Sequence, residues 1–356
     1  MKVITFIMPS IQPQPSGGYK IVYEYANRLA QDGNVVYIVN PLIRSFRNSN
    51  LKSKLKFIYF LFKFKIFGSL KINWFPLHNN VKNVVTFGLK EKFIPISDII
   101  IATGSQTASA VASIKSVSPE NKYYFIQGYE TWAVGLDHLN ETYRMPLNKI
   151  VIADYLLDKV RELGETASLV YNGLDFEFFK KTIEPKDRNK YTIVMPYNKA
   201  ELKGCDIGFE ALRIVHDKFP QLKVLIYGVH IPNELPTYCE FYHKPNKELF
   251  NKILNTASIY LGPSYSEGFC LTLAESMQCG CVPVCTNIGG YTVLCKDGKT
   301  GLTGEVGNAE SLAETLIEVI ENDTLRYFLA NNSYTFIQNF TWERAYANFK
   351  QALNIQ

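Results

Sequence analysis

Two carboxylates, Glu267 and Glu275, stand eight residues apart in the stretch SYSEGFCLTLAESMQCG (264–280). A carboxylate is a two-pronged hydrogen-bond acceptor suited to vicinal hydroxyls. If one helix carried both residues, its rise would separate them by about 12 Å. That span fits a sugar ring, a diphosphate and a ribose laid end to end. Between the carboxylates, the backbone N–H groups of Gly268, Phe269, Cys270 and Leu271 would lie at a helix N-terminus, where an anion is favoured. The plainer reading is that both glutamates lie on a solvated helix face.

Other stretches carry related chemistry. PSIQPQPSGGYK (9–20) places Gly17 and Gly18 in a loop that opens a helix, either an anion-binding start or only a tight turn. NKAELKGCD (198–206) sets Lys203 beside Gly204 in a second such connection. A lysine there can act as a movable charge against phosphate oxygens or can be an ordinary solvated loop residue. YFIQGYETW (124–132) brings Gln127, Tyr129 and Glu130 to the end of another strand.

These loops need elements to hold them. KVITFIM, NVVYIVN, NVVTFG, DIIIATG, KYYFIQG, KIVIA and ASLVYNG read as strands in the first half. YTIVMPY, LKVLIYG, CEFYH, ASIYLGPS and CVPVCTN follow in the second. Helical patterns lie between them: GGYKIVYEYANRLAQDG (17–33) early on, and segments near 206–218, 246–256, 269–279 and 309–321 later. Strand–helix alternation of this kind means parallel sheets covered on both faces. The expected fold is α/β, with two doubly wound Rossmann-like domains facing a central cleft. Expected boundaries are 1–175, a linker at 176–190, 191–335, and a C-terminal helix at 336–356 returning to the first domain. In such sheets ligands sit beyond the carboxyl ends of the strands, where all the loops named above fall.

Length and composition agree with this. At 356 residues and 47% hydrophobic, the chain is globular and long enough for two cores. The apolar run from Val3 to Met8 is short and ends at Pro9, which suits a buried strand better than a secretory signal. The seven cysteines form no CxxC pair and read as free thiols, with a zinc site at Cys279, Cys281 and Cys285 as the lesser alternative. A cytoplasmic protein is expected.

The net charge of +5 is unevenly spread, because Gly33 to Lys90 holds no acidic residue and ten basic ones. Within it, KLKFIYFLFKFKIFGSLKINWF (54–75) alternates lysines with aromatics, a pattern suited to an anionic membrane surface. A packed helix with snorkelling lysines is the alternative. No nucleic-acid motif accompanies the charge, so nucleic acid is not an expected partner.

The segment 256–305, TASIYLGPSYSEGFCLTLAESMQCGCVPVCTNIGGYTVLCKDGKTGLTGE, resembles the signature region of retaining GT-B glycosyltransferases of family 4. Its features are the Glu-x7-Glu pair, a small-residue turn, a Pro-Val strand, Gly-Gly and DGKTGL. Weaker correspondences are Gly17-Gly18, YNGLDFEFF (171–179), Lys203-Gly204 and FTWERAYANFKQAL (340–353). The resemblance implies that Glu267 contacts a donor sugar and Glu275 a ribose. It also implies that Gly17, Gly18 and Lys203 hold the diphosphate of a UDP-, dTDP- or GDP-sugar. The implied acceptor is a glycan or lipid-linked hydroxyl, in the manner of some bacterial surface-polysaccharide transferases, and the basic segment 33–90 places the expected work at the inner face of the cell membrane.

This chain departs from the family at several positions. Asn198 stands where an arginine is usual, with Lys199 beside it as a substitute charge. Val293 replaces the acid of Gly-Gly-x-x-Glu. The histidine often found after the fourth strand is absent, and Gly104, Ser105 and Gln106 occupy that place. Glu130 is a candidate acceptor-side carboxylate. No DxD triplet sits at a strand end, so no catalytic metal or other cofactor is expected. A catalytically silent partner subunit or a sugar-nucleotide epimerase are the alternative functions.

Overall fold

The computed structural model describes residues 1–42 and 72–355. The aromatic–lysine run proposed to meet a membrane lies almost entirely outside the described residues. The chain divides into two compact units, residues 1–170 with 346–356, and residues 171–345.

In the first unit the strands are β1 (Val3–Ile7), β2 (Val35–Pro41), β3 (Val81–Thr86), β4 (Ile99–Ala102), β5 (Lys122–Ile126), β6 (Asn148–Val151) and β7 (Ala167–Leu169). They form one parallel sheet in the order β3-β2-β1-β4-β5-β6-β7, with Val3 opposite Val35 and Ile4 opposite Ile99. The helices are α1 (Gly17–Gln31), α2 (Ser105–Ser113), α3 (Thr131–Val134), α4 (Leu136–Arg144) and α5 (Asp154–Arg161). Strands such as Ile99–Ala102 are apolar throughout because helices cover both faces and leave no solvent side. Each fully buried Ile or Val there contributes about 1.5–3 kcal/mol.

In the second unit β8 (Thr192–Tyr197), β9 (Lys223–Gly228), β10 (Cys239–His243), β11 (Ile259–Gly262), β12 (Val282–Thr286) and β13 (Leu302–Gly304) make a second parallel sheet, ordered β10-β9-β8-β11-β12-β13. Its helices are α6 (Cys205–Lys218), α7 (Lys247–Thr256), α8 (Leu271–Gln278), α9 (Gly289–Thr292), α10 (Ala309–Glu321) and α11 (Asp323–Ile337). In both sheets the strand order reverses beside the first strand, the position where doubly wound sheets open a crevice for ligands.

Two features outside the sheets set positions that matter below. The last helix, α12 (Trp342–Ala352), brings Phe349 onto Tyr25 of the first unit with ring centroids 4.0 Å apart. Arg188 is buried, and its guanidinium donates to the carbonyl oxygens of Ile183, Ala257 and Cys279. It thereby fixes the C-terminal end of α8, where a cation also meets the favourable end of the helix dipole. Among the described residues no helix is long and apolar enough to cross a membrane.

Candidate functional site

Glu267 lies in the loop between β11 and α8 and makes an ion pair with Lys203, Nζ to Oε1, at 2.8 Å. Its side chain is 14% exposed and that of Lys203 35%. Lys203 is therefore not a solvated loop lysine. Burial works against its charge, but the attraction and hydrogen bond of the Glu267 carboxylate outweigh burial and hold the ammonium above the usual lysine range.

The local backbone explains why these two side chains meet. Gly204 adopts φ 54, and a Cβ there would lie 2.1 Å from the Pro263 carbonyl oxygen, so only glycine lets the Lys203 turn press onto the Glu267 loop. The Leu202 carbonyl then accepts from the Tyr265 N–H at 2.8 Å. From below, Gly290 of α9 sits directly under Glu267. Ser264 donates to Glu267 Oε1 at 2.9 Å, and Tyr291 donates to Ser264 Oγ at 3.0 Å. Thr286 secures the Ser264 carbonyl at 2.5 Å. The carboxylate is thus held by a chain of partners from three strand ends.

The expected helix over 269–279 is corrected. Helix α8 begins at Leu271, because Cys270 takes a left-handed conformation (φ 55, ψ 79) that ends the turn after Gly268. Only the four steps from Leu271 to Glu275 are helical, about 6 Å of rise, and the separation of the carboxylates is not a straight helical span. Glu275 is 8% exposed, which removes the solvated-face reading. Phe269 is buried against Phe340, so that residue presents only backbone to a ligand. Burial pushes the Cys270 thiol up to about 11, which keeps it a neutral thiol at physiological pH. All seven cysteines are free, and among the described residues no cluster of His, Cys, Asp or Glu has the makings of a metal site.

Helix α8 has no side-chain N-cap and no acidic residue in its first turn, and α1, which starts at Gly17, shares both properties. By contrast, α7, α10 and α11 are capped by Asn246, Asn308 and Asn322. Helices α1 and α8 follow loops singled out from sequence, and their first N–H groups are suited to an anion, although α2, α3 and α9 likewise lack a side-chain N-cap and a first-turn acid. Asn198 uses its side-chain oxygen to accept from the Ala200 N–H at 2.9 Å, folding its own loop, while Lys199 is exposed.

In the first unit Glu130 reaches the start of α2, where Oε2 accepts from the Ser105 N–H at 2.7 Å. Burial raises the Glu130 carboxyl above its ordinary range against the lowering effect of these Ser105 bonds. Gln127 lies against Gly18, whose added Cβ would sit 3.5 Å from the amide oxygen. Tyr19 donates to the Ser10 carbonyl at 2.7 Å and pins the glycine loop. Sequence reasoning did not find Ser264 or Tyr291; the Gly-Gly at 289–290 was the available signal.

Residues 176–336 match the family described as glycosyl transferases group 1. A phosphatidyl-myo-inositol mannosyltransferase of Mycobacterium tuberculosis is 25% identical over 202 residues, 52% of this chain and 53% of its own length. An uncharacterised glycosyltransferase of Methanocaldococcus jannaschii is 27% identical over 201 residues, 55% of this chain and 56% of its own. The chain thus spans about half the length of these curated relatives. Among solved structures, sucrose-phosphate synthase from Thermosynechococcus elongatus superposes with TM-score 0.74 at 14% identity, covering 99% of this chain and 98% of that one. Anabaena HepE in complex with UDP-glucose gives 0.72 at 16% identity, covering 99% and 100%. These likenesses identify the fold as the two-domain GT-B architecture.

Proposed function

We propose that this chain is a retaining glycosyltransferase of family 4, moving a sugar from a nucleoside-diphosphate sugar to a hydroxyl of a glycan or lipid-linked acceptor. The observation that carries the reading is the Lys203–Glu267 pair, held at 2.8 Å in the loop that leads into an uncapped helix. A lysine and free helix N–H groups together are suited to a diphosphate, and an adjacent braced carboxylate to sugar hydroxyls. The complex of HepE with UDP-glucose is consistent with such a donor.

In this reading Glu267 takes the donor sugar, Glu275 the ribose, and Lys203 with the N–H groups of Gly268, Phe269, Cys270 and Leu271 the diphosphate, while the N–H groups of Gly17 and Gly18 in the first unit are suited to phosphate in their own right. Asn198 and Lys199 rim the same site. The bond from the anomeric carbon to the diphosphate breaks while the acceptor oxygen bonds to that carbon on the same face. The acceptor proton passes to the departing phosphate. Negative charge growing on that phosphate meets Lys203 and the helix termini, a preorganised electrostatic site that supplies the charge a divalent metal would bring. Glu130 serves the acceptor side in the first unit. The acid-free segment 33–90 suits a location on the inner membrane face, where each engaged Lys or Arg contributes about 1 kcal/mol.

The test is a transfer assay with UDP-, dTDP- and GDP-sugars, with and without excess EDTA, and NMR of the product's anomeric configuration. Retained configuration and EDTA-resistant turnover support the proposal. Inversion, or turnover restored only by magnesium or manganese, contradicts it.

A further inference from the structure

The turn that opens α8 holds a backbone conformation that its residue does not favour. Cys270 sits at φ 55, ψ 79, in the left-handed region that glycine, asparagine and aspartate enter readily and other residues seldom do. The other described non-glycine residues with positive φ, Lys244 and Asn354, are exposed, whereas Cys270 is buried. A buried side chain stays in such a region only where its neighbours over-determine it. The neighbours here are two hydroxyls. Tyr260, fully buried on β11, brings its hydroxyl to 2.9 Å from that of Thr272 and 3.6 Å from the Cys270 thiol. The thiol in turn lies 3.5 Å from the Thr272 hydroxyl.

Each of these groups carries one hydrogen and can accept another, so the triangle closes as a ring that needs no outside partner. It stands on the middle of the sheet, because Tyr260 lies opposite Val194 of β8 and Pro283 of β12. The ring also decides what the helix start is left with. A hydroxyl beside a helix start ordinarily competes for backbone N–H groups. Thr272 and Cys270 turn to Tyr260 instead, and no side chain caps α8.

We propose that Tyr260 and Thr272 are positioning residues of the donor site: their hydroxyls clasp the Cys270 thiol, hold the left-handed turn and keep the first N–H groups of α8 open to the diphosphate. Neither side chain touches the ligand. This deepens the glycosyl-transfer reading and rests on it for the diphosphate, while the clasp is testable on a simple anion.

The test is calorimetry of the full chain with UDP, dTDP, GDP and inorganic pyrophosphate, and with the free nucleoside of whichever nucleotide binds. Thr272→Val and Tyr260→Phe keep the side-chain shape and lose the hydroxyl. Each should weaken nucleotide and pyrophosphate binding at least tenfold and leave the nucleoside within about twofold. Thr272→Ser, which keeps the hydroxyl, should bind as the wild type does. Adding Cys270→Gly to Thr272→Val should restore affinity to within about threefold of wild type, because glycine takes the left-handed turn without a clasp. General support of the fold would not be repaired by a second change in the same turn. Undiminished affinity in both variants without the hydroxyl, or an equal loss of nucleoside and nucleotide, would overturn the assignment. So would a loss in Thr272→Ser as large as in Thr272→Val, or no rescue by Cys270→Gly. Pyrophosphate bound with the expected pattern but no nucleotide would sink the donor reading and leave the clasp standing, whereas a wild type that binds neither overturns both.

Discussion

Gly290 underlies Glu267 so closely that a Cβ at position 290 would lie 2.2 Å from the Glu267 carbonyl oxygen and 2.7 Å from its Cβ. The Gly-Gly pair therefore has a steric role that its sequence does not announce: it lets α9 carry the loop that presents the carboxylate. Gly290→Ala should force that loop outward, at a folding cost of about 1–3 kcal/mol typical of overpacking. Displacing a reacting group by about 1 Å lowers turnover on the order of 100-fold. Thermal unfolding and steady-state kinetics together check both effects.

Gly18 behaves in the opposite way. Its nearest neighbour to an added Cβ is the Gln127 amide at 3.5 Å, an ordinary contact, so the protein itself leaves room for alanine. Gly18→Ala should fold as well as the wild type, with a melting temperature unchanged or slightly raised because glycine is a poor helix former. On the proposed reading, in which phosphate approaches the Gly17–Gly18 backbone, affinity for the nucleotide diphosphate should nevertheless fall about tenfold, a loss of about 1.4 kcal/mol. Unaltered affinity would mean that no ligand approaches Gly18.

The relay from Tyr291 through Ser264 to Glu267 predicts a division of effects. Tyr291→Phe removes one buried hydrogen bond, at a cost of about 1 kcal/mol, and frees Ser264 to rotate away from the carboxylate. Turnover should drop severalfold while nucleotide affinity stays at the wild-type value. An equal fall in both would show that the tyrosine supports the whole site and not the carboxylate alone.

Glu130 gives a pH signature of defined sign. Burial raises its folded pKa above the ordinary carboxylate value, so its stability contribution is full below the unfolded pKa and is lost as pH rises through the folded one. Glu130→Gln, which cannot ionise, escapes that loss. The difference in melting temperature between variant and wild type should therefore move in the variant's favour as pH rises upward from about 4.3. A pH-independent difference would show that burial does not penalise this carboxylate.

Much of the fold was legible because its signals are local. Runs such as DIIIATG and CVPVCTN are too short for helices and too apolar for a half-exposed sheet, and they became β4 and β12. The geometry of the Glu-x7-Glu pair was not legible. The left-handed backbone at Cys270, which delays α8 to Leu271, is a residue type that rarely adopts that conformation. Ser264 and Tyr291 were hidden for a different reason, since they meet across 27 residues of chain only after β11 and β12 pair. Asn198 looked like a weakened phosphate ligand, whereas its side chain folds its own loop, a short-range bond that asparagine makes readily.

Calorimetry of UDP-, dTDP- and GDP-sugars against wild type and Lys203→Ala decides whether the braced Lys203–Glu267 pair grips a nucleotide sugar. Wild type should bind at least one of them, and Lys203→Ala should weaken that binding tenfold or more, with the corresponding free nucleoside, which lacks phosphate, little affected. Wild-type affinity in Lys203→Ala, or no binding of any of the three sugars by the wild type, would contradict that grip.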